Sequence, residues 1–290
     1  MAKERHLSSV LFLIQYCMKC LSYLFVITIC CLLQCCSSLS QSVINRSFTL
    51  AIWNIGRFSN GTKLQSTIDI TQDPDIVQRY RNFINKTLNP DVFVINEFNN
   101  VFYKDGNGRE FHTDSLLLDS YRYKFIGPDW WKCNAIFSKY RIMNLDNSDE
   151  NVYYLTTHKT IKDDEKVSKR NTYVLENIIE VRGIPIKIVS VHIDFSKKAS
   201  GKYQKAQISE LIDRYKDDTK VIICGDFNVG KYEQFREAGY SVANDGSLLT
   251  YPSKGSPLDN IIYKGVSVTN VRMYPITLSD HNPLSCRVSF

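Results

Sequence analysis

The chain has 290 residues, of which 43% are hydrophobic and 23% are charged, both close to the averages for globular proteins. This composition excludes a disordered chain, a collagen and a polytopic membrane protein. The formal net charge is +6, and a mildly basic chain favours polyanionic partners without requiring one.

Residues 1–41 have the plan of an export signal or a membrane anchor. A basic start precedes an apolar stretch over residues 7–36, and small polar residues follow it. The apolar core from Cys20 to Cys36 is close to the lower limit of about 17 residues for a membrane span. A cleaved signal peptide, a lipoprotein signal and a retained anchor are therefore all open. Each of them predicts a body that is secreted or membrane-anchored outside the cytoplasm.

Residues 45–290 are predicted to form one domain. Apolar runs of strand length, several of them bounded by Gly, Pro, Asn or Asp, recur along it. The predicted strands are Phe48–Ile55, Asp91–Ile95, Asn134–Phe137, Val152–Thr156, Tyr173–Val181, Ile186–Ile193, Lys220–Cys224, Asn260–Tyr263, Val266–Val271 and Leu284–Phe290. Helical spacing predicts helices over Asp75–Leu88 and Gly201–Tyr215, and a weaker one over Tyr232–Ala238 that ends before Gly239. The pattern predicts an α+β fold of two packed sheets flanked by helices.

Cysteine spacing gives no sign of a disulfide framework or a zinc site in this body. Six of the nine cysteines lie in the first 36 residues, and the body keeps only Cys133, Cys224 and Cys286. Cys224 lies in an apolar run, so we expect it to be a small buried core residue.

Side chains that bind metals or transfer protons lie at the ends of these runs, where a buried strand reaches the surface. They are Asn54, Glu97, His192, Asp226 with Asn228, Asp259, and Asp280 with His281. A carboxylate at the end of one strand is usually a cap or a turn residue. So many side chains of these types at strand ends instead indicate one site, built from loops on a rigid scaffold.

These side chains suit the hydrolysis of a phosphoester. Carboxylates such as Glu97 and Asp280 favour Mg²⁺ or Mn²⁺ over zinc, and such a metal would draw charge from a phosphoryl oxygen. Asp226 is the candidate for orienting and deprotonating a water. Asn228 lies two residues further on, and an extended chain would point its side chain the same way. A histidine beside a carboxylate carries protons or contacts phosphate.

The motifs occur in a fixed order along the body. They are Trp53-Asn54-Ile55, Ile95-Asn96-Glu97, Asn134 to Tyr140, Val191-His192-Ile193, Gly225-Asp226-Phe227-Asn228, Leu258-Asp259-Asn260 and Ser279-Asp280-His281. As an ordered set they resemble the endonuclease/exonuclease/phosphatase superfamily, which has the DNase I-like fold. The resemblance implies a four-layer α/β/β/α sandwich, with two mainly antiparallel sheets and the site at one edge of both.

The resemblance also implies a metal site that holds Mg²⁺ or Mn²⁺. Glu97 corresponds to the principal ligand, and Asn54 lies at the metal with it. Asp280 lies near the metal or near a second metal position.

The catalytic roles follow from the same resemblance. Asp226 is the base that orients the water, and Asn228 assists it. His281 contacts the scissile phosphate and is held by Asp259. His192 matches the second histidine of the deoxyribonuclease and sphingomyelinase branches, which abasic-site nucleases usually lack.

Two alternatives to a metal-dependent phosphodiesterase or phosphatase can be weighed from the sequence. A non-catalytic binding module on the same fold would have lost Glu97, Asp226 or His281, and all three are present. An unrelated secreted glycosidase would show two dominant carboxylates instead of this set.

The substrate is less well determined by the sequence. A nucleic acid and a phospholipid-type headgroup, as in sphingomyelinases, are nearly balanced. We expect a monomer, which a retained anchor would attach to a membrane through residues 7–36.

Overall fold

A computed structural model describes residues 46–58, 74–100, 102–104, 110–128, 133–143, 145, 148–157, 173–194 and 202–290. Of the N-terminal segment it describes residues 18, 21, 23 and 25–31, all helical and exposed. Contacts divide the chain into two units, Met1–Arg46 and Ser47–Phe290. No helix within the described residues has the length and apolar character needed to cross a bilayer. Most of the predicted signal or anchor, residues 1–41, lies outside the described residues.

The unit Ser47–Phe290 is built mainly from strands. In chain order the strands are β1 Ser47–Asn54, β2 Val92–Phe98, β3 Phe102–Lys104, β4 Glu110–His112, β5 Tyr123–Ile126, β6 Cys133–Ser138, β7 Arg141–Ile142, β8 Val152–Tyr154, β9 Tyr173–Val181, β10 Ile184–His192, β11 Val221–Asp226, β12 Ser241–Val242, β13 Asp259–Lys264, β14 Ser267–Met273 and β15 Leu284–Ser289. The α-helices described in this unit are α1 Pro74–Asn82, α2 Thr113–Leu117, α3 Lys202–Tyr215 and α4 Glu233–Glu237, and short 3-10 helices cover Gly56–Phe58, Ser148–Asn151 and Pro252–Lys254. Helix α1 continues directly into π-helical turns over Phe83–Leu88.

Most strands form two sheets, and the strand pairs in both sheets are mainly antiparallel. The first has six strands in the order β14-β15-β1-β2-β6-β5, and the second has seven, with β12-β13-β11-β10-β9-β7 in line and β8 beside β9. Each sheet contains one parallel pair, β1 with β2 and β10 with β11, and its other pairs are antiparallel. The predicted mainly antiparallel arrangement is confirmed.

Three apolar clusters account for the layers. One cluster takes side chains from both sheets, for example Leu50 and Val94 with Ile188 and Ile222, and forms the central core. A second packs α1 and the π-helical turns on the first sheet, and a third packs α3 and α4 on the second. Alternate residues of a strand face opposite sides of its sheet, so one strand such as β2 serves two clusters. The predicted four-layer sandwich is confirmed.

Each strand predicted from an apolar run is present, and the three predicted helices are present too. The short strands β3, β4, β5, β7 and β12 were not predicted. Two to four residues contain too little alternation to be recognised from sequence. Gly239 follows α4 in the left-handed conformation, at φ +82°, as a helix-ending glycine should.

The two parallel pairs position the candidate site. In the first sheet Asn54 at the end of β1 is paired with Asn96 of β2, and in the second His192 ends β10 beside Asp226 at the end of β11. Parallel strands deliver their carboxyl ends to one edge of a sheet. These two edges lie together, as the hydrogen bond from the Asn54 side chain to Asp226 shows.

Candidate active site

The end of β11 depends on glycine. Gly225 has φ +136°, and a Cβ placed there would lie 2.2 Å from the Val191 carbonyl oxygen. Only a residue without a side chain lets β11 approach β10 this closely. The approach carries Asp226, the next residue, into the space between the sheets.

Asp226 is 1% exposed, and its carboxylate is contacted on both oxygens. Asn54 Nδ2 donates to Oδ2 at 2.9 Å, and the Asn228 backbone N–H donates to Oδ1 at 2.8 Å. His192 Nε2 and His281 Nε2 lie 3.7 and 3.9 Å from Oδ2. Burial, and next the nearby charge of Asp259, raise the pKa of Asp226, and the two histidines and Asn54 oppose the rise.

His281 is held from several sides. Its Nδ1 lies 2.8 Å from Asp259 Oδ2, and its carbonyl accepts a bond from Trp53 Nε1 at 2.9 Å. The Tyr251 ring packs against the imidazole in a tilted arrangement, with 4.7 Å between ring centroids and 41° between ring planes. Burial on its own lowers the pKa of His281, but the charges of Asp259 and then Asp226 raise it to about 10. The ring therefore carries a positive charge at neutral pH.

Asn228 is part of the site, but not for the reason predicted. Strand β11 ends at Asp226, and Asn228 has φ +50°, so the chain is turning and not extended. Its side-chain Nδ2 donates to the Ile193 carbonyl at 2.9 Å. The expectation that strand alternation aligns Asn228 with Asp226 was wrong, because the left-handed turn replaces the pleat. What connects the two residues is the Asn228 N–H bond to the Asp226 carboxylate.

The predicted metal ligands lie at the same end of the first sheet. Glu97 is half-buried, with φ +51°, where the pairing of β2 with β6 shifts register between Ile95 and Phe98. Such a bulge redirects a side chain at a strand end. Asp280 is exposed, its Oδ1 lies 3.4 Å from Ser279 Oγ, and its charge adds to those that raise the pKa of His281.

A divalent cation suits the donors collected here. Within the described residues, Asp226, Asp259 and His281 have ligand atoms within 4.8 Å of one another. This cluster is not the predicted ligand set, since its members are the predicted base and the histidine–carboxylate pair. Asp259 Oδ1 is buried and has no hydrogen-bond partner in the part of the chain that the structure describes. An unpaired carboxylate oxygen fits a hard cation such as Mg²⁺, whereas a His281 ring that is protonated on both nitrogens offers no lone pair to a metal.

Sequence reasoning missed the part played by Asn96 and Ser279. Asn96 is wholly buried and bonds to the Asp226 backbone, and Ser279 Oγ donates to the Asn54 carbonyl at 2.8 Å. The signal in the sequence was the amide of Asn96 inside an apolar strand. A buried amide needs hydrogen-bond partners, so this residue could have been expected to bond across the site.

Comparison with known proteins gives one family and several related folds. The model of the Endonuclease/Exonuclease/phosphatase family matches residues 51–281. The uncharacterized protein YbhP of Escherichia coli K12 is 24% identical over 201 residues, covering 64% of this chain and 74% of YbhP. YbhP of Shigella flexneri matches equally well.

Solved structures share the fold at low identity. An endonuclease/exonuclease/phosphatase from Beutenbergia cavernae DSM 12333 superposes with a TM-score of 0.59 and 16% identity, covering 84% of this chain and 72% of that one. The human nocturnin catalytic domain with bound sulfate gives 0.57 and 17%, over 84% and 94% of the two chains. D. rerio TDP2 complexed with a single-strand DNA product gives 0.55 and 14%, over 84% and 99%.

Proposed function

The chain belongs to the Endonuclease/Exonuclease/phosphatase family, and from that membership we propose that it is a divalent-metal-dependent phosphodiesterase. From the export or anchor plan of residues 1–41 we propose that it acts outside the cytoplasm. The observation that carries the proposal is the position of Asp226. Its carboxylate is buried, held on both oxygens, and faces the Nε2 atoms of His192 and His281 at 3.7 and 3.9 Å. Members of the family are phosphoester hydrolases, and this arrangement supports an active member over a binding module.

In the proposed reaction, Asp226 orients a water and accepts its proton. Asn54 and the Asn228 N–H hold the carboxylate in one orientation, and the raised pKa brings the base closer to neutral pH, where proton transfer is efficient. Asp259 holds Nδ1 of His281, which leaves Nε2 free to contact substrate close to the Asp226 carboxylate. His281 therefore contacts the scissile phosphate, and His192 approaches it from β10.

Glu97, Asn54 and Asp280 would hold Mg²⁺ or Mn²⁺ in this proposal. The Asn54 side-chain oxygen accepts one bond, from the Gly56 N–H at 3.1 Å, and so keeps a second lone pair for a ligand. When bound, such a metal supplies Lewis-acid stabilisation of charge on the phosphoryl and leaving oxygens.

A nucleic acid is the substrate class that we propose. A groove of about 430 Å³ begins at Asn228, and Lys205 of α3 and Lys231 line it against one acidic residue, Glu233. Basic side chains beside a site attract the phosphates of a polyanion. The single-strand DNA product bound by D. rerio TDP2, a protein of the same fold, is consistent with this choice. A phospholipid-type headgroup is the second candidate, and His192 does not separate the two, because the resemblance links it to deoxyribonucleases and sphingomyelinases alike.

A substrate panel tests the proposal directly. The purified body, residues 45–290, would be assayed with single-stranded and duplex DNA, RNA, sphingomyelin vesicles and a simple phosphodiester, each with Mg²⁺, with Mn²⁺ and with excess chelator. We expect metal-dependent cleavage of nucleic acid that chelator abolishes. Cleavage of sphingomyelin alone would select the second candidate, and full activity in chelator would overturn the metal dependence.

Glu97→Gln is expected to raise the Mg²⁺ concentration for half-maximal activity by at least about tenfold, because the amide removes the ligand's charge. Glu237→Gln is the matched control, since Glu237 is an exposed residue of α4. Metal titrations of both variants and the parent would measure the shift. An unchanged metal requirement in Glu97→Gln would exclude Glu97 as a ligand.

The export proposal is tested with residues 1–45 alone. We expect a reporter enzyme fused to this segment to be found outside the cytoplasmic fraction, because a basic start and an apolar core direct export. The same reporter fused to residues 45–290 is the control and should stay inside. A soluble cytoplasmic reporter from the first fusion would refute export.

Size-exclusion chromatography of the body, residues 45–290, would test the expected monomer.

A further inference from the structure

Asn96 uses its side chain to join the two sheets. Its Nδ2 donates to the Val191 carbonyl at 2.9 Å and to Asn134 Oδ1 at 2.8 Å, and its Oδ1 accepts the Asp226 backbone N–H at 2.9 Å. Asn96 lies on β2 of the first sheet, whereas Val191 and Asp226 lie on β10 and β11 of the second. The residue is wholly buried, so its three bonds form away from water and fix its amide in one orientation.

The Asn96 side chain also contacts Gly225, the residue that precedes the proposed base Asp226. A Cβ on Gly225 would lie 2.7 Å from Asn96 Oδ1 and 2.2 Å from the Val191 oxygen. The amide and the neighbouring strand therefore confine the backbone of Gly225 from two sides. Asp226 follows this confined glycine, and its own N–H is bound by Asn96 Oδ1. Its backbone therefore has little freedom to move.

From this geometry we propose that Asn96 is a positioning residue, which fixes the Asp226 carboxylate at a set distance from the end of β2, where Glu97 lies. The inference rests on the proposed role of Asp226 as the base. Glu97 follows Asn96 directly in the chain, so one short amide ties the strand of the proposed metal ligand to the strand of the base. A shift of about 1 Å between such groups can cost about 10²-fold in rate.

The bonding pattern requires an amide at this position. An aspartate would place an oxygen against the Val191 carbonyl, which offers an acceptor and no proton. An apolar side chain would leave the Asp226 N–H buried without a partner, and an unpaired buried donor is destabilising. Asparagine supplies both donors and the acceptor.

The test is a double-variant cycle between Asn96 and Asp226. We expect Asn96→Ala to lower kcat by about 10²-fold with KM little changed. In the Asp226→Asn background the same change should lower the residual kcat by less than about twofold, because a base that has been removed cannot be misplaced. An equal loss in both backgrounds would overturn the proposal and make Asn96 a structural residue only. If Asp226→Asn itself leaves kcat unchanged, the proposed function of Asp226 has failed instead.

Asn177→Ala is the control for stability. Asn177 is also wholly buried between the sheets and donates to Asn151 Oδ1 at 2.8 Å, but it does not bond to Asp226. It should lower the melting temperature without lowering kcat. If Asn96→Ala does not fold, Asn134→Ala replaces it in the cycle, since it frees the amide of Asn96 and keeps the bond to Asp226. We then expect a smaller loss of kcat that also vanishes beside Asp226→Asn, and a loss that persists there overturns the proposal.

Discussion

Asp226→Asn is expected to lower kcat by about 10²–10⁴-fold, the usual cost of losing a general base. The amide has nearly the size of the carboxylate but cannot accept a proton from water. The amide keeps one oxygen acceptor for either Asn54 Nδ2 or the Asn228 N–H and turns its NH₂ toward the other donor, so we expect a folded protein with a lower melting temperature. Steady-state kinetics with the substrate identified by the panel, and the melting temperature, would measure the two effects.

Asp217→Asn is the matched control for this change. Asp217 is exposed just beyond α3, away from the strand ends that form the site. It carries the same change of charge, so any effect of net charge on substrate attraction appears in both variants. A loss below about threefold in Asp226→Asn, with Asp217→Asn unchanged, would contradict the role of Asp226 as the base.

The sequence predicts the sandwich well because most of its long strands have at least one buried face. Runs such as Tyr173–Val181 alternate buried side chains with half-buried ones along much of their length and are long enough to show their period. The short edge strand Tyr123–Ile126 is held by pairing with β6, which sequence cannot show. The π-helical turns after α1 were missed for a related reason, because one apolar stripe over Asp75–Leu88 is compatible with a continuous α-helix.

The sequence predicts which residues gather at the site more reliably than how they bind. Residues at strand ends, such as Asn54 and Asp226, were placed by the topology of the parallel pairs. The turn at Asn228 depends on a left-handed backbone that strand alternation does not anticipate. Asn96 was recognisable only as part of a motif, because its three bonds reach strands that are distant in the sequence.

His281→Ala is expected to lower kcat by about 10²–10³-fold, the cost of removing one donor to developing negative charge. Its imidazole is held by Asp259 and packed against Tyr251, so the ring is already oriented when substrate arrives. Asp259→Asn should cost less, because an amide oxygen can still accept the Nδ1 proton while the charge that favours the imidazolium is lost. Kinetics on both single variants would establish this order, and a larger loss in Asp259→Asn would contradict it.

The double variant Asp226→Asn with His281→Ala decides whether the two residues act on one phosphate. Their side chains approach to 3.9 Å, so a water bound to Asp226 and a phosphate bound to His281 would be in contact. Groups that act as one unit lose much less together than the product of their separate losses. We therefore expect the double variant to be little slower than the worse single variant. A fully multiplied loss would mean that the residues act independently, and the placement of both around one scissile phosphate would be wrong.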